Sequence, residues 1–369
     1  MLFFKTDFRS IIVIIAAGKH GRLIILRFIV NWILRAGIVE LFTIFFISVN
    51  ILAFTFCIIS KNQTTNIKQR ISEAVLILLT LACGGIGAFL GMCITKHRIK
   101  ERASRLIVAA GMVIALIPII HITHGFTLDR TIRYVEIEFH SQKWPSELDG
   151  YRIAFITDTH IISDETMRNV AAELNTRNID LLLLGGDFST RNDHYQGTVR
   201  EIAQISTTDG IFGVEGNHDN YIALFNAKRQ HGITPLDNSG THIRSGFFLA
   251  GVQDKWNRSP NISKAIAGAY PDDFILLVTH NPDVTMVQPT YGLDLILAGH
   301  THSGQITFFG FAMYLLRGSI TNYGTRFAYG FAYSADGVPV FTSSGIGVYY
   351  TIPRILARPE VVIINIRSY

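Results

Sequence analysis

The stretch YRIAFITDTH, residues 151–160, decides the fold of the second half of this chain. Its apolar residues run on without strict alternation and end at two polar residues, Asp158 and His160. A run of this length and pattern is typical of a strand that is buried on both faces of a sheet. Four more runs share this plan, and they are DLLLLGGD at 180–187, GIFGVEGN at 210–217, FILLVTHN at 274–281 and DLILAGHT at 294–301.

Segments with a helical pattern lie between these runs. The candidates are 165–175, 198–205 and 222–230. Upstream, RYVEIEF at 133–139 alternates as a half-buried strand does. Downstream, VPVFTSSG at 338–345 and EVVIINI at 360–366 are expected to be strands that close a second sheet. Strands that alternate with helices predict a layered α/β domain over residues 126–369.

Polar side chains follow the apolar runs at the point where each run ends. In open α/β sheets the carboxyl ends of parallel strands meet at one edge, and binding sites lie there. Imidazole and carboxylate groups are ligands of divalent transition metals, and two such ions can share one site. The sequence therefore predicts a metal site at this edge. Its candidate residues are Asp158, His160, Asp187, Asn217, His218, Asp219, His280, Asn281, His300 and His302.

The composition of the whole chain is too apolar for an ordinary soluble domain. Of the 369 residues, 49% are hydrophobic and 17% are charged, and the mean hydropathy is +0.30. Globular domains carry about 25% charged residues. These values exclude a disordered chain and a collagen-like chain, and a count of three cysteines excludes a disulfide scaffold of this size.

The net charge of +5 divides unequally along the chain. Residues 1–125 hold 14 of the 33 Lys and Arg residues and 4 of the 28 Asp and Glu residues, a balance of +10, and residues 126–369 carry −5. A nucleic-acid-binding domain would concentrate the positive charge on its own folded surface. The charges instead flank apolar runs, so we expect a membrane partner and no nucleic acid.

Three apolar runs in the basic segment approach the roughly 20 residues that cross a bilayer. They cover about 36–60, 74–95 and 106–122. The segment 22–35 is apolar but contains Arg27, and we expect it to lie in the membrane interface. The sequence thus predicts a membrane anchor over residues 1–125 with about three transmembrane helices.

Basic residues near the spans predict an orientation. With three spans, the amino-terminal segment and the loop at 96–105 lie on one side and together hold eleven Lys and Arg residues, against five on the other side. Because basic loops stay cytoplasmic, this count favours a carboxyl-terminal domain outside the cytoplasm. If residues 22–35 also cross the membrane, the domain instead faces the cytoplasm.

Residues 36–125 resemble a small bacterial membrane domain of unknown function. The resemblance rests on RISEAVLILLTLACGGIGAFLGMCITKHRIK at 70–100, with an Arg-Ile-x-Glu start, a Gly-Gly-x-x-Gly-Ala centre and a Gly-Met-containing end. It implies no chemistry. Small residues such as these glycines let helices approach closely in lipid.

Five motifs in the second half resemble those of the calcineurin-like metallophosphoesterases. They are TDTH at 157–160, GGDFS at 185–189, GNHD at 216–219, VTHNP at 278–282 and AGHTHSGQ at 298–305. The resemblance covers about 133–369, and the ending is similar to a membrane-anchored bacterial branch that includes phosphodiesterases and a UDP-2,3-diacylglucosamine pyrophosphatase of lipid A biosynthesis. It implies a four-layer αββα sandwich that follows an α-helical transmembrane anchor in the bacterial inner (cytoplasmic) membrane.

The resemblance also implies a ligand set for two divalent metal ions. The first ion would be held by Asp158, His160 and His302, the second by Asn217, His280 and His300, and Asp187 would bridge the two. Mn, Fe, Zn and Ni all accept these ligands, so the metals stay undetermined.

The implied enzyme is a metal-dependent phosphoesterase, in which a bridging hydroxide attacks phosphorus in line. His218 would protonate or hydrogen-bond the leaving oxygen, and Asp219 would orient the His218 imidazole. Asn281 and Gln305 are weaker candidates for outer or substrate contacts. The turn SSGIG at 343–347 departs from the family, because an Arg is common there.

The segment ITFFGFAMYLLRG at 306–318 is strongly apolar. A lip of Phe308, Phe309 and Phe311 against acyl chains fits a site beside a membrane, and a buried strand or helix is the alternative. The expected substrate is therefore a phosphodiester or pyrophosphate of phospholipid or glycolipid type. Two alternatives stay open: a UDP-2,3-diacylglucosamine pyrophosphatase that faces the cytoplasm, and an inactive metal-binding membrane sensor.

Overall fold

The structure, a computed structural model, describes residues 38–61, 74–96, 102–126, 131–160, 162–188, 195–220, 226, 228–307, 320–348 and 354–369. The chain divides into two compact units, Met1–Ile120 and His121–Tyr369. The interfacial segment 22–35, the helix start at 222–225 and the lip of Phe308, Phe309 and Phe311 lie outside the described residues. The division of the chain at residue 125 into an anchor and an enzyme domain stays a prediction.

Three apolar helices occupy the amino-terminal third. Helix α1 spans Ile38–Lys61, α2 spans Ala74–Thr95 and α3 spans Arg102–Phe126. Within them, Thr43–Lys61 and Ala74–Thr95 are long and apolar enough to cross a membrane, with mean hydropathies of 2.2 and 2.3. The three predicted spans fall on these three helices. The membrane anchor itself stays a proposal.

Helix α2 is interrupted by a π-helical turn at Thr80–Gly84. Asn50 of α1 fills this break, because its Nδ2 donates to the Phe46 and Cys83 carbonyls at 2.8 and 2.9 Å and its Oδ1 accepts from Gly87 N at 2.8 Å. A Cβ on Gly87 would collide with the Asn50 backbone. The glycines of α2 therefore allow close approach to α1, as their small size predicts.

The second unit is built on β-strands. In the described residues these are β1 Arg133–Ser141, β2 Tyr151–Ile156, β3 Leu181–Leu184, β4 Ile211–Gly213, β5 Ile233–Pro235, β6 Ser239–Arg244, β7 Phe247–Gly251, β8 Phe274–Thr279, β9 Leu295–Ala298, β10 Gly330–Tyr333, β11 Pro339–Thr342 and β12 Glu360–Ser368. They form two six-stranded sheets. The first has the order β1-β12-β2-β3-β4-β5 and the second the order β10-β11-β9-β8-β7-β6.

Each sheet contains four neighbouring parallel strands. These are β2, β3, β4 and β5 in the first sheet and β7, β8, β9 and β11 in the second. The carboxyl ends of parallel strands lie at the same edge of a sheet, so each sheet has one edge where loops with polar residues gather. This arrangement positions the site.

Apolar clusters on three levels hold the layers together. Between the sheets, Phe155 and Leu183 of the first sheet pack in one cluster with Leu276 and Leu297 of the second. The outer face of the first sheet is covered by helices α4 (Asp164–Leu174) and α5 (Tyr195–Ile202). The outer face of the second sheet carries the short helix α6 (Ile262–Ala265). The predicted α/β class is confirmed, and the two sheets are consistent with a metallophosphoesterase fold.

The carboxyl-terminal strand lies in a different sheet from the one predicted. EVVIINI at 360–366 was expected to close the second sheet, but β12 lies in the first, parallel to β1 and antiparallel to β2. Residues 361–364 are fully buried because both faces of β12 are covered. Periodicity cannot assign such a strand to a sheet, since a buried central strand is apolar on both faces in either one.

Candidate metal centre

The predicted site residues lie where parallel strands end. Asp158 follows β2, Asp187 follows β3, and Asn217 follows β4. In the second sheet, His280 directly follows β8 and His300 follows β9. The two edges face one another, because the His280 Nδ1–H donates to the Gly185 carbonyl beyond β3 at 2.8 Å.

Asp158, His160 and His302 form a first group whose ligand atoms lie within 4.8 Å of one another. The Nε2 atoms of the two histidines are 2.9 Å apart, and the Asp158 Oδ1 is 3.4 Å from the His302 Nε2. Burial lowers the pKa of His160 to about 4. Burial, together with the neighbouring His160, holds the pKa of His302 well below its usual value. Both imidazoles are thus in the neutral form that binds a metal.

Asp187, His280 and His300 form the second group, again within 4.8 Å. The His280 Nε2 is 3.3 Å from the Asp187 Oδ2 and 3.2 Å from the His300 Nδ1. The Asn217 Oδ1 joins them, at 3.0 Å from the His280 Nε2. The four residues expected around the second ion therefore meet at one point.

Asp187 faces both groups with the same oxygen. Its Oδ2 is 3.5 Å from the His160 Nε2 and 3.3 Å from the His280 Nε2. Burial alone would raise the pKa of Asp187, but the imidazoles of His280 and His160 outweigh it and hold the pKa below its usual value. An ionised carboxylate between two groups of ligands is what a bridging role requires.

Hydrogen bonds to the main chain set the direction of two imidazoles. Because a carbonyl only accepts, the His280 Nδ1 carries the hydrogen in its bond to Gly185 O, and the His300 Nε2 carries it in its 2.8 Å bond to Ile320 O. In the neutral rings, the lone pairs at the His280 Nε2 and the His300 Nδ1 are thus directed at each other. Outer bonds of this kind typically orient metal-binding histidines.

The donor set fits a cation. Lone pairs of the His280 Nε2, the His300 Nδ1, the Asn217 Oδ1 and the Asp187 Oδ2 converge, and only a proton or a metal ion relieves their mutual repulsion. The pKa of His280 reflects this: burial alone would lower it, but the carboxylate of Asp187 raises it well above its usual value. Two divalent ions would be held by the seven predicted ligands, and the number and identity of the ions remain predictions.

Two buried polar atoms beside the second group have no hydrogen-bond partner among the described residues. They are the Asn281 Nδ2 and the Asp254 Oδ1. An unsatisfied buried polar atom costs free energy unless a solvent molecule or a ligand completes it. The Asn281 Oδ1 caps the short 3-10 helix Pro282–Met286 by accepting from Asp283 N at 2.9 Å. The predicted role of Asn281 as an outer or substrate contact stays a prediction.

Left-handed backbone conformations accumulate at the ligands. The φ angles of five of them are positive and lie between 36° and 73°. Non-glycine residues rarely adopt this region, and such strain persists where the surrounding structure demands it. The five proposed ligands are Asp158, His160, Asp187, His300 and His302.

His218 and Asp219 lie beside the ligands and make different contacts. The His218 ring lies edge to face against His160 with centroids 5.6 Å apart, and its backbone N donates to the Asp187 Oδ1 at 2.9 Å. The Asp219 carboxylate accepts the main-chain N–H groups of Asp187, Phe188 and Gly216 at 2.8–2.9 Å. The predicted bond to the His218 imidazole is not among these three. Asp219 therefore ties the Asp187 loop to the Gly216 loop.

Three residues that no sequence motif marks support the site, and they are Asp283, Glu360 and Arg354. Asp283 accepts from Thr321 Oγ1 and from Asn322 N at 2.8 Å, which places the Ile320 carbonyl that binds His300. Glu360 accepts from Ser343 Oγ and Ser344 N, both at 3.1 Å. Neither the two carboxylates nor their hydroxyl partners, Thr321 and Ser343, stand in a recognisable motif. Only the folded structure therefore shows their role.

Arg354 is the third of these residues and brings positive charge to the back of the first group. It is buried, and it donates from Nε to the Gly347 carbonyl at 2.8 Å and from Nη1 to the Ala357 carbonyl at 3.1 Å. Its Nη2 is 3.2 Å from the His302 Nδ1. The turn at 343–347 lacks the arginine common in the family, and Arg354 reaches this region from farther along the chain.

Comparison with known proteins identifies the core of the second unit. A family described as calcineurin-like phosphoesterase matches residues 151–304, a span that contains all seven predicted metal ligands. Residues 151–304 are thus similar in sequence to the calcineurin-like phosphoesterases. The family model and the names of the relatives support the predicted class of enzyme, a metal-dependent hydrolase. A second family, a protein of unknown function (DUF1294), matches residues 50–103.

Relatives of this chain are named in the same terms. An uncharacterized metallophosphoesterase of Helicobacter pylori is 28% identical over 57% of this chain and 58% of its own length. A transmembrane protein with metallophosphoesterase domain from Danio rerio is 25% identical over 62% of this chain and 56% of its own. The phosphodiesterase YaeI of Escherichia coli is 27% identical over 58% of this chain and 82% of its own. The chain thus matches somewhat more than half the length of the first two relatives.

Proposed function

We propose that this protein hydrolyses phosphodiester or pyrophosphate bonds with two divalent metal ions. The observation that carries the proposal is the position of Asp187, whose Oδ2 faces the first ligand group at 3.5 Å and the second at 3.3 Å. When bound, a pair of divalent ions lowers the pKa of water and offsets the charge of phosphate oxygens. The similarity to a phosphodiesterase of Escherichia coli supports a diester substrate.

His218 is proposed to act on the leaving group. Its ring lies at the first ligand group but is only half-buried, so one side remains accessible. A partly exposed imidazole at this position can donate a proton to the oxygen that departs from phosphorus. The Asp187 Oδ1 holds the His218 main chain in place at 2.9 Å.

The activity can be tested on the full chain purified in detergent. We expect hydrolysis of bis(p-nitrophenyl) phosphate that depends on added Mn²⁺, Fe²⁺, Zn²⁺ or Ni²⁺ and that chelation abolishes. Asn217→Ala should remove most of the activity by weakening the second metal site, and His218→Ala should lower kcat about 10²–10⁴-fold. His140→Ala, a change on the exposed surface of β1, is the control. Full activity in both site variants would refute the assignment.

A membrane-proximal substrate of phospholipid or glycolipid type is the second part of the proposal. It is supported by the two helices long and apolar enough to cross a membrane. Replacing Phe308, Phe309 and Phe311 by Ser should impair hydrolysis of long-chain phosphodiester lipids more than that of bis(p-nitrophenyl) phosphate. An equal loss on both substrates would contradict a lipid-binding lip.

The side of the membrane distinguishes the two enzyme alternatives. A domain outside the cytoplasm is the orientation that the basic residues favour, and a pyrophosphatase of UDP-2,3-diacylglucosamine would face the cytoplasm. A phosphatase reporter can be fused after Tyr369, which is 84% exposed and follows β12. Reporter activity supports the external orientation, and its absence with stable expression supports the internal one. The inactive sensor is disfavoured because all seven ligands and His218 are present.

A further inference from the structure

The loop after β7 places an indole ring beside a proposed metal ligand. The rings of Trp256 and His300 meet edge to face, with centroids 5.0 Å apart and an interplanar angle of 78°. Trp256 is 48% exposed, although it lies next to residues that are almost entirely buried. Half of a large apolar ring therefore faces the solvent at the rim of the site.

The position of Trp256 is fixed by its neighbours. The buried carboxylate of Asp254 accepts from Trp256 N at 2.7 Å and from Asn257 N at 3.1 Å through the same Oδ2. The Asn257 Nδ2 donates to the main-chain carbonyl of the proposed ligand Asn217. Lys255, which precedes the tryptophan, places its Nζ 3.6 Å from the Asp283 Oδ2. The turn is thus tied to both sheets at the edge that carries the site.

Packing in the core does not explain why the Trp256 ring is held beside His300 with half of its surface exposed. A side chain that serves stability buries its surface, and each exposed Å² of apolar area forgoes about 25 cal/mol. An indole held rigidly with one side open loses little conformational entropy on contact with a ligand. Ligand sites combine a few polar groups with aromatic walls of this kind. The His300 ring connects the exposed indole directly to the proposed second metal position.

We propose that Trp256 determines specificity by packing against the organic group esterified to the phosphate, favouring flat or bulky apolar groups over small ones. The inference rests on the proposed function, since it names the part of the substrate that lies beside the second metal position. Trp256 contacts the ester group and not the reacting phosphorus, so it acts on binding more than on the chemical step.

The experiment compares two substrates with the same leaving group, p-nitrophenyl phenylphosphonate and p-nitrophenyl methylphosphonate, on the metal-loaded full chain in detergent. Trp256→Ala should raise KM for the phenylphosphonate substrate about tenfold with kcat within about twofold, and leave both constants for the methylphosphonate substrate within about twofold. Trp256→Phe should restore most of the preference. Tyr291→Ala is the matched control, because Tyr291 is 73% exposed and lies before β9, at the opposite edge of the sheet.

Two kinetic outcomes would overturn the inference while leaving the proposed function intact. Equal losses on both esters would show that Trp256 only positions His300. Unchanged constants on both esters would show that the substrate does not reach the ring. If the wild-type chain hydrolyses neither ester with any ion, the proposed function fails.

Binding of the non-hydrolysable products then decides the inference independently of turnover. Calorimetry should show that the wild-type chain binds phenylphosphonate about tenfold more tightly than methylphosphonate, and that Trp256→Ala abolishes this difference. Equal affinities of the wild-type chain for the two phosphonates would overturn the inference. The fluorescence of Trp256 gives a parallel signal that is absent in Trp256→Phe.

Discussion

Asp219 contributes to the site without belonging to the ligand set. Its two oxygens accept three main-chain N–H groups, two of them on one oxygen, from the loops that carry Asp187 and Asn217. Burial of the carboxyl group and the negative charge of Asp187 raise the pKa of Asp219 to about 7. A carboxylate that fixes two ligand loops sets the distance between ligands, which metal affinity depends on strongly.

Asp219→Asn tests this role. The amide keeps the size of the side chain but turns an NH₂ group toward a main-chain N–H, so one loop loses its acceptor. We expect metal affinity and kcat/KM to fall about 10–100-fold. Calorimetric metal titration measures the first quantity and steady-state kinetics the second. Asp272→Asn, at an exposed position, serves as control, and wild-type metal affinity in Asp219→Asn would contradict the role.

Gly216 is required for a close approach to Asp187, the proposed bridging carboxylate. A Cβ at this position would lie 2.6 Å from the Asp187 N and would collide with its carboxylate. Gly216→Ala should therefore displace Asp187, and the variant should bind fewer than the two metal ions per chain that we propose for the wild type. Metal analysis after gel filtration measures this number. Gly268→Ala places its Cβ 3.5 Å from the Phe248 ring, an ordinary contact, and should keep the wild-type content.

The sequence predicts the proposed ligands better than the residues that hold them. Asp158, Asp187 and His280 stand at the ends of apolar runs, where a local pattern and the order of motifs mark them. Asp283 and Glu360 support the same site through contacts with residues 321–322 and 343–344. Such pairings are long-range products of the fold, and no local pattern reveals them.

At the level of elements, β8 and β9 are joined at their amino ends by a partly buried carboxylate. The Asp294 Oδ2 accepts from Ile275 N at 2.8 Å and lies 3.6 Å from the Lys143 Nζ. Burial raises the pKa of Asp294, even though both contacts favour the ionised form. The hydrogen bond to β8 is thus made by a group whose charge the protein interior disfavours.

Asp294→Asn should remove this penalty while its oxygen keeps the bond to Ile275 N. The folded pKa of Asp294 lies above the unfolded value of about 3.9, so its contribution to stability is complete below that pH and is lost as pH rises through the folded pKa. As pH rises through the folded pKa of Asp294, the free energy of unfolding of the variant should therefore increase relative to that of the wild type. The difference should persist at higher pH. Urea denaturation from pH 4 to pH 8 measures the difference, with Glu165→Gln as an exposed control. A difference that shrinks as pH rises would refute the expectation.

The elements themselves were predictable to different degrees. The long buried runs became β2, β3, β8 and β9 because uninterrupted apolar sequence suits a covered parallel strand. Three-residue strands such as β5 are too short to show any periodicity. β12 belongs to the first sheet because it pairs with β1 and β2. The pattern of residues within 360–368 does not encode this pairing.

At the scale of the whole molecule, metal binding and stability of the second unit should be coupled. The ligands come from both sheets, so an ion bound by them links loops that are far apart in the unfolded chain. Saturating Mn²⁺ at about 100 times Kd adds about 2.7 kcal/mol to the free energy of unfolding. For a unit of this size, that corresponds to a rise in Tm of roughly 5–10 °C.

Thermal denaturation with Mn²⁺ and with a chelator measures this coupling. Asp187→Ala removes the oxygen that faces both ligand groups, so the rise in Tm should largely disappear. His242→Ala, outside the site, should keep the wild-type response. An undiminished rise in Asp187→Ala would mean that the ions bind elsewhere.

The position of β12 sets the order in which the first sheet forms during synthesis. Residues 360–368 are translated after the other described strands, yet they lie between β1 and β2, so the first sheet stays open until they leave the ribosome. Glu360 on the same strand then bonds to Ser343 and Ser344, beside the turn in which Gly345 packs against Asp158. The apolar helices α1 to α3 emerge long before. We therefore expect the helices of the nascent chain to fold before the first sheet is complete, and the site to bind metal only after β12 has emerged.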